Sequence, residues 1–362
     1  MQRFKNILVV VDERTENRAV VERAVTLAQR NQARLTVVNT VGALPRQVTM
    51  PDGPEPLVGI DIIEEWPPDA DRPLAPEAPA TFATLQKPSS EWPDRAEMPV
   101  TEAAVVIREH IVEGESQRLE QWVDFIRQSR VPVGGKMLHG TPFLEIIREV
   151  LRNDHDPVMT TAEGRGGLKE KLFGSTTLRL LRKCPCPVWV VMPAQPEWYT
   201  RIMAAVDPAP LDEEQYTVNI KIMDLATSLA RRQQCELVVV HTWTFPAEHS
   251  LRSGYVRPSS ELDRWVGEAR DLHRRRLIEL LRPYPLQDLN SRVYMLKGEP
   301  GHLIPELAAK MEIGLIVMGT VSRTGVAGLL IGNTAEKILR QVDCSVLTVK
   351  PDGFVTPVRL DE

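Results

Sequence analysis

Short apolar runs alternate with longer amphipathic stretches along the whole chain. Apolar residues spaced three and four positions apart predict helices at 17–31 and 101–130, and helices that begin at 142 and 175. The short runs predict first-half strands at 7–12, 35–40, 135–138, 157–161 and 188–192. This alternation is typical of a parallel sheet with helices on both faces.

The second half of the chain repeats the first half. Gly140 and Gly298 both stand two residues before a proline, and they lie 158 positions apart. The same spacing matches Arg165 with Arg323, Gly174 with Gly332, Leu181 with Leu339 and Cys186 with Cys344. The repeat predicts second-half strands at 202–206, 236–241, 293–296, 314–319 and 345–349.

The repeat predicts two domains and an insertion in the first. The strand before Asp12 matches the strand before Asp207 at a spacing of 195 positions, so the first half carries 37 extra residues. We expect two tandem Rossmann-like α/β domains, residues 1–195 and 200–351. Each would hold an open five-stranded parallel sheet with helices on both faces.

The insertion, at about 42–100, holds much of the proline. Twelve of the 29 prolines lie between positions 45 and 99, which is incompatible with continuous helix or sheet. Two readings stay open: a poorly ordered surface loop, or a segment packed over a partner or over the binding site. Trp66, Phe82 and Trp92 are the residues that would pack in the second case.

Composition narrows the class of protein. A net charge of −5 gives the whole chain no general attraction to nucleic acid. The four cysteines are too few and too scattered for a disulfide framework or a zinc site, which favours a reducing compartment. The N-terminal apolar run is too short for a signal peptide or a membrane span, so we expect a cytoplasmic protein without membrane insertion.

Polar and glycine residues recur where the first and fourth strands of each half end. In an open parallel sheet these strand ends border the ligand crevice, and helix N-termini there favour anions. The recurring spacing is Gly-x2-Gly-x9-Gly-Ser/Thr, with substitutions in each half. It is neither a Walker A motif nor the GxGxxG fingerprint.

This spacing, with the Asp after strand one, the Cys-Pro-Val segment and the Gly-x-Pro turn, resembles the universal stress protein family. The two copies resemble its tandem members. The resemblance implies an adenine nucleotide alpha hydrolase-like fold, a cytoplasmic role in stress response and dimer-like packing of the two domains. In one subgroup it also implies bound ATP or another adenine nucleotide.

Carried over to the first half, the resemblance places Asp12 near the adenine or ribose and other motif residues around the phosphates. Thr161 replaces the first motif glycine. The nucleotide-binding candidates are Asp12, Thr161, Gly164, Arg165, Gly174, Ser175 and Thr176.

The second half matches the motif less well. Ser322 replaces the second glycine and Asn333 replaces the terminal Ser/Thr, as in the family branch without ATP. Its weaker candidates are Asp207, Gly319, Ser322, Arg323, Gly332, Asn333 and Thr334. Arg165, Lys169 and Lys171, opposed by Glu163 and Glu170, also make the first half the more basic of the two sites, since the second offers Arg323 alone.

The leading hypothesis is a non-enzymatic stress-response protein that binds a small ligand, with Mg²⁺ accompanying ATP if that is the nucleotide. No catalytic residue or protein metal site is predicted, and His241 is expected to be a hydrogen-bonded structural residue. One alternative is a slow ATPase or phosphotransferase that uses the first site. Another is a signalling scaffold with both sites degenerate. The two domains are expected to pair within the chain through sheet edges or last strands. Homodimer formation is a further expectation, and no nucleic-acid partner is expected.

Overall fold

The structure is a computed structural model that describes residues 4–12, 17–42, 100–162, 173–193, 198–208, 213–245, 248, 259–320 and 332–360. The chain divides into two compact units, one of residues 1–42 and 114–362 and the other of residues 43–113. In the smaller unit the described residues, 100–113, are helical. The predicted packing residues Trp66, Phe82 and Trp92 lie outside the described residues, so the role of the insertion stays a prediction.

The first half follows the predicted alternation. Its strands are β1 (Asn6–Val11), β2 (Arg34–Val41), β3 (Val133–His139), β4 (Val158–Thr161) and β5 (Val188–Val191). Its helices are α1 (Arg18–Asn31), α2 (Val100–Arg127), α3 (Pro142–Asn153) and α4 (Ser175–Lys183). Every predicted element of this half is present.

The second half has the same order of elements. Its strands are β6 (Arg201–Ala205), β7 (Glu236–Trp243), β8 (Ser291–Lys297), β9 (Leu315–Gly319) and β10 (Ser345–Val349). Its helices are α5 (Glu213–Gln233), α6 (Ser259–Leu281), α7 (Pro300–Lys310) and α8 (Asn333–Gln341). None of the helices that the structure describes is long and apolar enough to cross a membrane.

Strands β3 and β8 are longer than the sequence pattern predicted. Each has seven residues, most of them half-buried or exposed. Both are outer strands of the sheet. A strand at the edge requires fewer apolar residues than a central strand, so the apolar run marked only part of its length.

The two predicted five-stranded sheets are joined into one ten-stranded sheet. Its strand order is β3-β2-β1-β4-β5-β10-β9-β6-β7-β8. All neighbouring strands are parallel except β5 and β10, which pair antiparallel with Trp189 opposite Leu347. These two residues are also 158 positions apart, so an approximate twofold axis between the halves passes near this pair.

Helices cover both faces of the sheet, as predicted. Helices α1, α2, α5 and α6 pack with strand residues such as Val9 and Val317 on one face. Helices α3, α4, α7 and α8 pack with Leu8 and Ile316 on the other. Successive strand residues alternate between two buried layers, which explains why the central strands appear in the sequence as continuous apolar runs.

Lys350 connects the halves on the second face. This residue follows β10 and is 5% exposed. Its ammonium group donates hydrogen bonds to the carbonyl oxygens of Leu181 (2.9 Å) and Arg182 (3.2 Å) and to the Thr320 hydroxyl. The two carbonyls belong to the last turn of α4, where the helix dipole favours a positive charge.

Burial lowers the pKa of Lys350 to about 8 in the folded protein. In the unfolded chain the lysine titrates near its ordinary value of 10.5, so between these values the unfolded state binds more protons. The contribution of Lys350 to stability therefore rises with pH through this window and is lost as pH falls through 8.

We expect the difference in unfolding free energy between the wild type and Lys350→Met to grow by about 2 kcal/mol from roughly pH 7.5 to 9.5. Urea denaturation of both proteins across this range measures it. Because both carry the same tyrosines and cysteines, their titration cancels in the difference. A difference in unfolding free energy that stays constant with pH would contradict the lowered pKa of Lys350.

Candidate functional site

The carboxyl edge of the sheet has one switch point in each half. In the first half, β1 lies between β2 and β4 and is parallel to both. The chain leaves β1 through α1 on one face and enters β4 from α3 on the other face. Such a reversal opens a crevice at the carboxyl ends of the two central strands. Strands β6 and β9 form the equivalent crevice in the second half.

Asp12 lies at the first crevice and its backbone is held by Asn17, the residue before α1. The Asn17 amide donates to the Asp12 carbonyl (2.6 Å), and the Asp12 N–H points to Asn17 Oδ1 at 3.4 Å. This asparagine is 7% exposed. The interaction fixes the end of β1 and does not use the Asp12 carboxylate.

Asp207 is held in the same way in the second half. Asn219 donates to the Asp207 carbonyl and accepts from the Asp207 N–H, both at 2.8 Å. Neither asparagine was predicted from the sequence. Asn17 follows its aspartate by five residues and Asn219 by twelve, so a search at one repeat spacing does not align them.

Thr161, the last residue of β4, is 3% exposed. Its hydroxyl has no hydrogen-bond partner among the residues that the structure describes. Extending the β1–β4 register places Thr161 opposite Val11, one residue before Asp12. A buried unpaired hydroxyl is costly, and a bound ligand is one way to satisfy it.

The equivalent residue in the second half, Gly319, has a different surrounding. A Cβ atom added there would lie 2.9 Å from Cγ1 of Val218 on α5. Helix α5 therefore packs too closely for a side chain at this position. The two crevices therefore differ in the residues that line them as well as in their sequence motif.

Helix α4 begins at the first crevice with Gly174 as its N-cap. Its N-cap glycine has no side chain that could cap the first turn, and the turn contains no acidic residue. The backbone N–H groups at a helix start lack partners within the helix and form a natural anion site. Ser175 and Thr176 occupy the first two helical positions.

Helix α8 begins similarly at Gly332 but carries Glu336 in its first turn. This carboxylate lies 3.0 Å from Arg182 and 2.8 Å from Arg340. The hydrogen bond from Arg340 and the charge of Arg182 lower the pKa of Glu336. A carboxylate paired with two arginines therefore occupies the first turn of α8, whereas the first turn of α4 has no carboxylate.

Beside each crevice, the second strand carries a buried polar residue whose helix partner the sequence reasoning missed. In the first half Asn39, opposite Val11, donates to Glu115 of α2 at 2.5 Å. In the second half His241 Nε2 lies 2.9 Å from His273 Nδ1 of α6. Nδ1 of His241 lies 3.2 Å from the carbonyl oxygen of Val206, in agreement with a hydrogen-bonded structural role.

Some of the predicted site residues lie outside the part of the chain that the structure describes. Gly164, Arg165, Ser322 and Arg323 lie outside the described residues. A cavity of about 440 Å³ opens at the opposite, amino edge of the second half, beside Trp198 and Glu312. Within the described ranges, no group of three or more His, Cys, Asp or Glu side chains is arranged to hold a metal.

Two doubly wound halves, each with an aspartate at its switch point and a glycine at the start of the helix after its fourth strand, define a tandem Rossmann-like α/β protein. A model of the universal stress protein family matches residues 3–59, 90–192 and 199–350. The chain therefore belongs to the universal stress protein family, which confirms the resemblance seen in the motif spacing. The exact limits of the two domains, predicted at 1–195 and 200–351, stay a prediction.

Curated relatives carry the name universal stress protein E. Universal stress protein E of Escherichia coli K12 is 29% identical over 260 residues, which cover 71% of this chain and 80% of that protein. Universal stress protein E of Photorhabdus laumondii is 23% identical over 364 residues, which cover 99% of both proteins.

Solved structures share the whole fold. A putative universal stress protein from Pseudomonas aeruginosa superposes with a TM-score of 0.63 at 20% identity, covering 96% of this chain and 94% of that one. A universal stress protein from Archaeoglobus fulgidus gives a TM-score of 0.55 at 13% identity, with 95% and 98% coverage. At these identities the likeness shows the fold alone.

We expect Thr161→Val to raise the unfolding free energy of the ligand-free protein by about 1 kcal/mol, because it removes an unpaired buried hydroxyl. Thr348→Val is the matched control: Thr348 is 1% exposed and its hydroxyl donates to the Val188 carbonyl at 3.3 Å. That variant should lose about 1 kcal/mol. Urea denaturation of both variants measures the sign of each change in unfolding free energy. A similar loss of stability in both would contradict the unpaired state of the Thr161 hydroxyl.

Proposed function

We propose that this universal stress protein binds ATP or another adenine nucleotide in its first half, at the crevice between β1 and β4. The observation that carries the proposal is the start of α4. Its glycine N-cap provides no capping side chain for the first backbone N–H groups, and its first turn has no acidic side chain. A polyphosphate needs both features, because its oxygens require several donors and its charge is repelled by carboxylates.

Each candidate residue has a distinct role in this proposal. Asp12 faces the adenine or ribose, and its backbone is positioned by Asn17. Gly164 and Gly174 let the backbone approach the phosphates, and Ser175 and Thr176 add hydroxyl donors. The Thr161 hydroxyl supplies one further polar contact at the end of β4.

Charge in the segment of sequence between β4 and α4 completes the proposed site. Arg165 would neutralise part of the phosphate charge, and Mg²⁺ would accompany a triphosphate. A bound Mg²⁺ would screen the negative charge between neighbouring phosphate groups. The glycine N-cap keeps its conformation without ion pairing or metal. Nucleotide binding can therefore be tested with and without Mg²⁺.

The second half is proposed as a weaker site or one without nucleotide. Glu336 places a carboxylate in the first turn of α8, and the Gly332 N–H donates to the Thr320 carbonyl at 2.9 Å. The loss of the second motif glycine at Ser322 and the change to Asn333 also favour weaker binding or none in this half. We propose a cytoplasmic stress-response role in which the first half holds the ligand.

Gly174→Val tests the site directly, with Gly332→Val as its matched control. Gly174 has φ −57° and ψ 164°, and Gly332 has φ −59° and ψ 142°. Both backbones suit any residue, so valine obstructs close approach without straining the chain. We expect Gly174→Val to weaken binding of Mg-ATP at least about tenfold, and Gly332→Val to leave it unchanged.

Isothermal titration calorimetry and native mass spectrometry of the full chain measure the affinity and the number of nucleotides bound. A wild-type protein that shows no binding would contradict the proposal. An equal loss of nucleotide affinity in both variants would indicate that the nucleotide binds at another site. Phosphate release above that of the Gly174→Val protein would instead favour the slow ATPase alternative.

A further inference from the structure

A narrow cleft lies between α1 and α5, close to the approximate twofold axis that relates the halves. Trp189, which pairs with Leu347 on that axis, forms part of its floor. The cleft is lined by Arg23, Thr26, Leu27, Arg30, Trp189, Trp198, Leu229, Arg232 and Gln233.

Two of the lining arginines occupy equivalent positions in the two halves. Helices α1 and α5 are each followed by a left-handed residue, Gln32 with φ 52° and Gln234 with φ 53°. Counting back two residues from these ends gives Arg30 in the first half and Arg232 in the second. The axis therefore brings one guanidinium from each half to the same cleft.

The third arginine, Arg23, has no counterpart because Leu225 takes the equivalent position. Arg23 is 5% exposed, and its guanidinium carbon lies 4.0 Å from the ring centre of Tyr199. Tyr199 is also buried and accepts a hydrogen bond from Trp189 at 3.3 Å. This packing holds Arg23 beneath the cleft.

The cleft is strongly positive. No aspartate or glutamate is among its described lining residues. Arg30 stacks 4.6 Å from the ring centre of Trp198, and Arg232 donates to Asn31 Oδ1 at 3.3 Å. Within the described part of the chain, neither of these two arginines forms an ion pair with a carboxylate.

The ends of the two helices account for only part of this charge. Each helix C-terminus carries roughly half a negative charge, so the two together offset about one of the two positive charges of Arg30 and Arg232. Stabilising a helix end explains Arg30 and Arg232 individually. It does not explain the burial of Arg23 beneath the same cleft.

We propose that this cleft binds a phosphate-type oxyanion, as inorganic phosphate or as the phosphate group of a larger ligand. Planar guanidinium groups bind such oxyanions through paired N–H donors. The enclosed space is about 30 Å³, which admits a compact group and leaves the rest of a ligand at the mouth. There, Trp198 is 43% exposed and offers an aromatic face.

The cleft is separate from the proposed nucleotide site. Helices α1 and α5 run from the carboxyl edge of the sheet to its amino edge, so Arg30 and Arg232 lie at the amino edge. The start of α4 lies at the carboxyl edge. The inference therefore stands whether or not the first half binds a nucleotide.

The experiment titrates the full chain with inorganic phosphate at constant ionic strength, using chloride to balance, and records tryptophan fluorescence and thermal unfolding. Titrations in the Gly174→Val protein exclude phosphate bound at α4. We expect a saturable change that is weakened at least about tenfold in Arg30→Gln/Arg232→Gln. Lysine at both positions should restore only part of the affinity, because it keeps the charge and loses the paired donors.

Arg231→Gln is the matched control, because Arg231 is exposed, precedes Arg232 and does not line the cleft. It should leave phosphate binding unchanged. The single variants Arg30→Gln and Arg232→Gln keep the test available if the double variant does not fold. Phosphate also stabilises proteins non-specifically, so a non-saturating effect of equal size in every variant would overturn the proposal.

Discussion

Strands β5 and β10 run antiparallel at the centre of the sheet, and this pairing determines how the two halves meet. Trp189 and Leu347 face each other across it. If the halves were apart, each would expose the edge of an apolar strand, which is prone to pair with other chains. The pairing removes both edges and places α1 and α5 side by side. The Lys350 contacts with α4 and the arginine cleft both depend on this arrangement.

The two halves share a backbone plan but differ in chemistry at equivalent positions. A second-strand residue pairs with a helix in both, as Asn39 with Glu115 and as His241 with His273. Thr161 ends β4, whereas a glycine ends β9 because α5 packs against it. The conserved plan preserves the fold, and the changed side chains leave the halves with different crevices.

Much of the fold was predictable because its signals are local. Central strands such as β1 and β9 are buried on both faces, so they appear as continuous apolar runs. Glycines at 174 and 332 mark helix starts in both copies of the repeat. The edge strands β3 and β8 were predicted only in part, since exposure removes the apolar signal. The asparagines at 17 and 219 were missed because α1 and α5 differ in length, which shifts the repeat spacing.

The sequence by itself determined the α/β class, the duplication, the family and the motif positions at the strand ends. The class and the motifs depend on residues near one another in the chain, and the duplication follows from comparing such local patterns along it. Only the tertiary structure decided that ten strands form one sheet and that Lys350 contacts α4 from the other half. It also decided that Arg30 and Arg232 share a cleft. These contacts join residues more than 150 positions apart, and they follow from the register of β5 against β10, which no local pattern encodes.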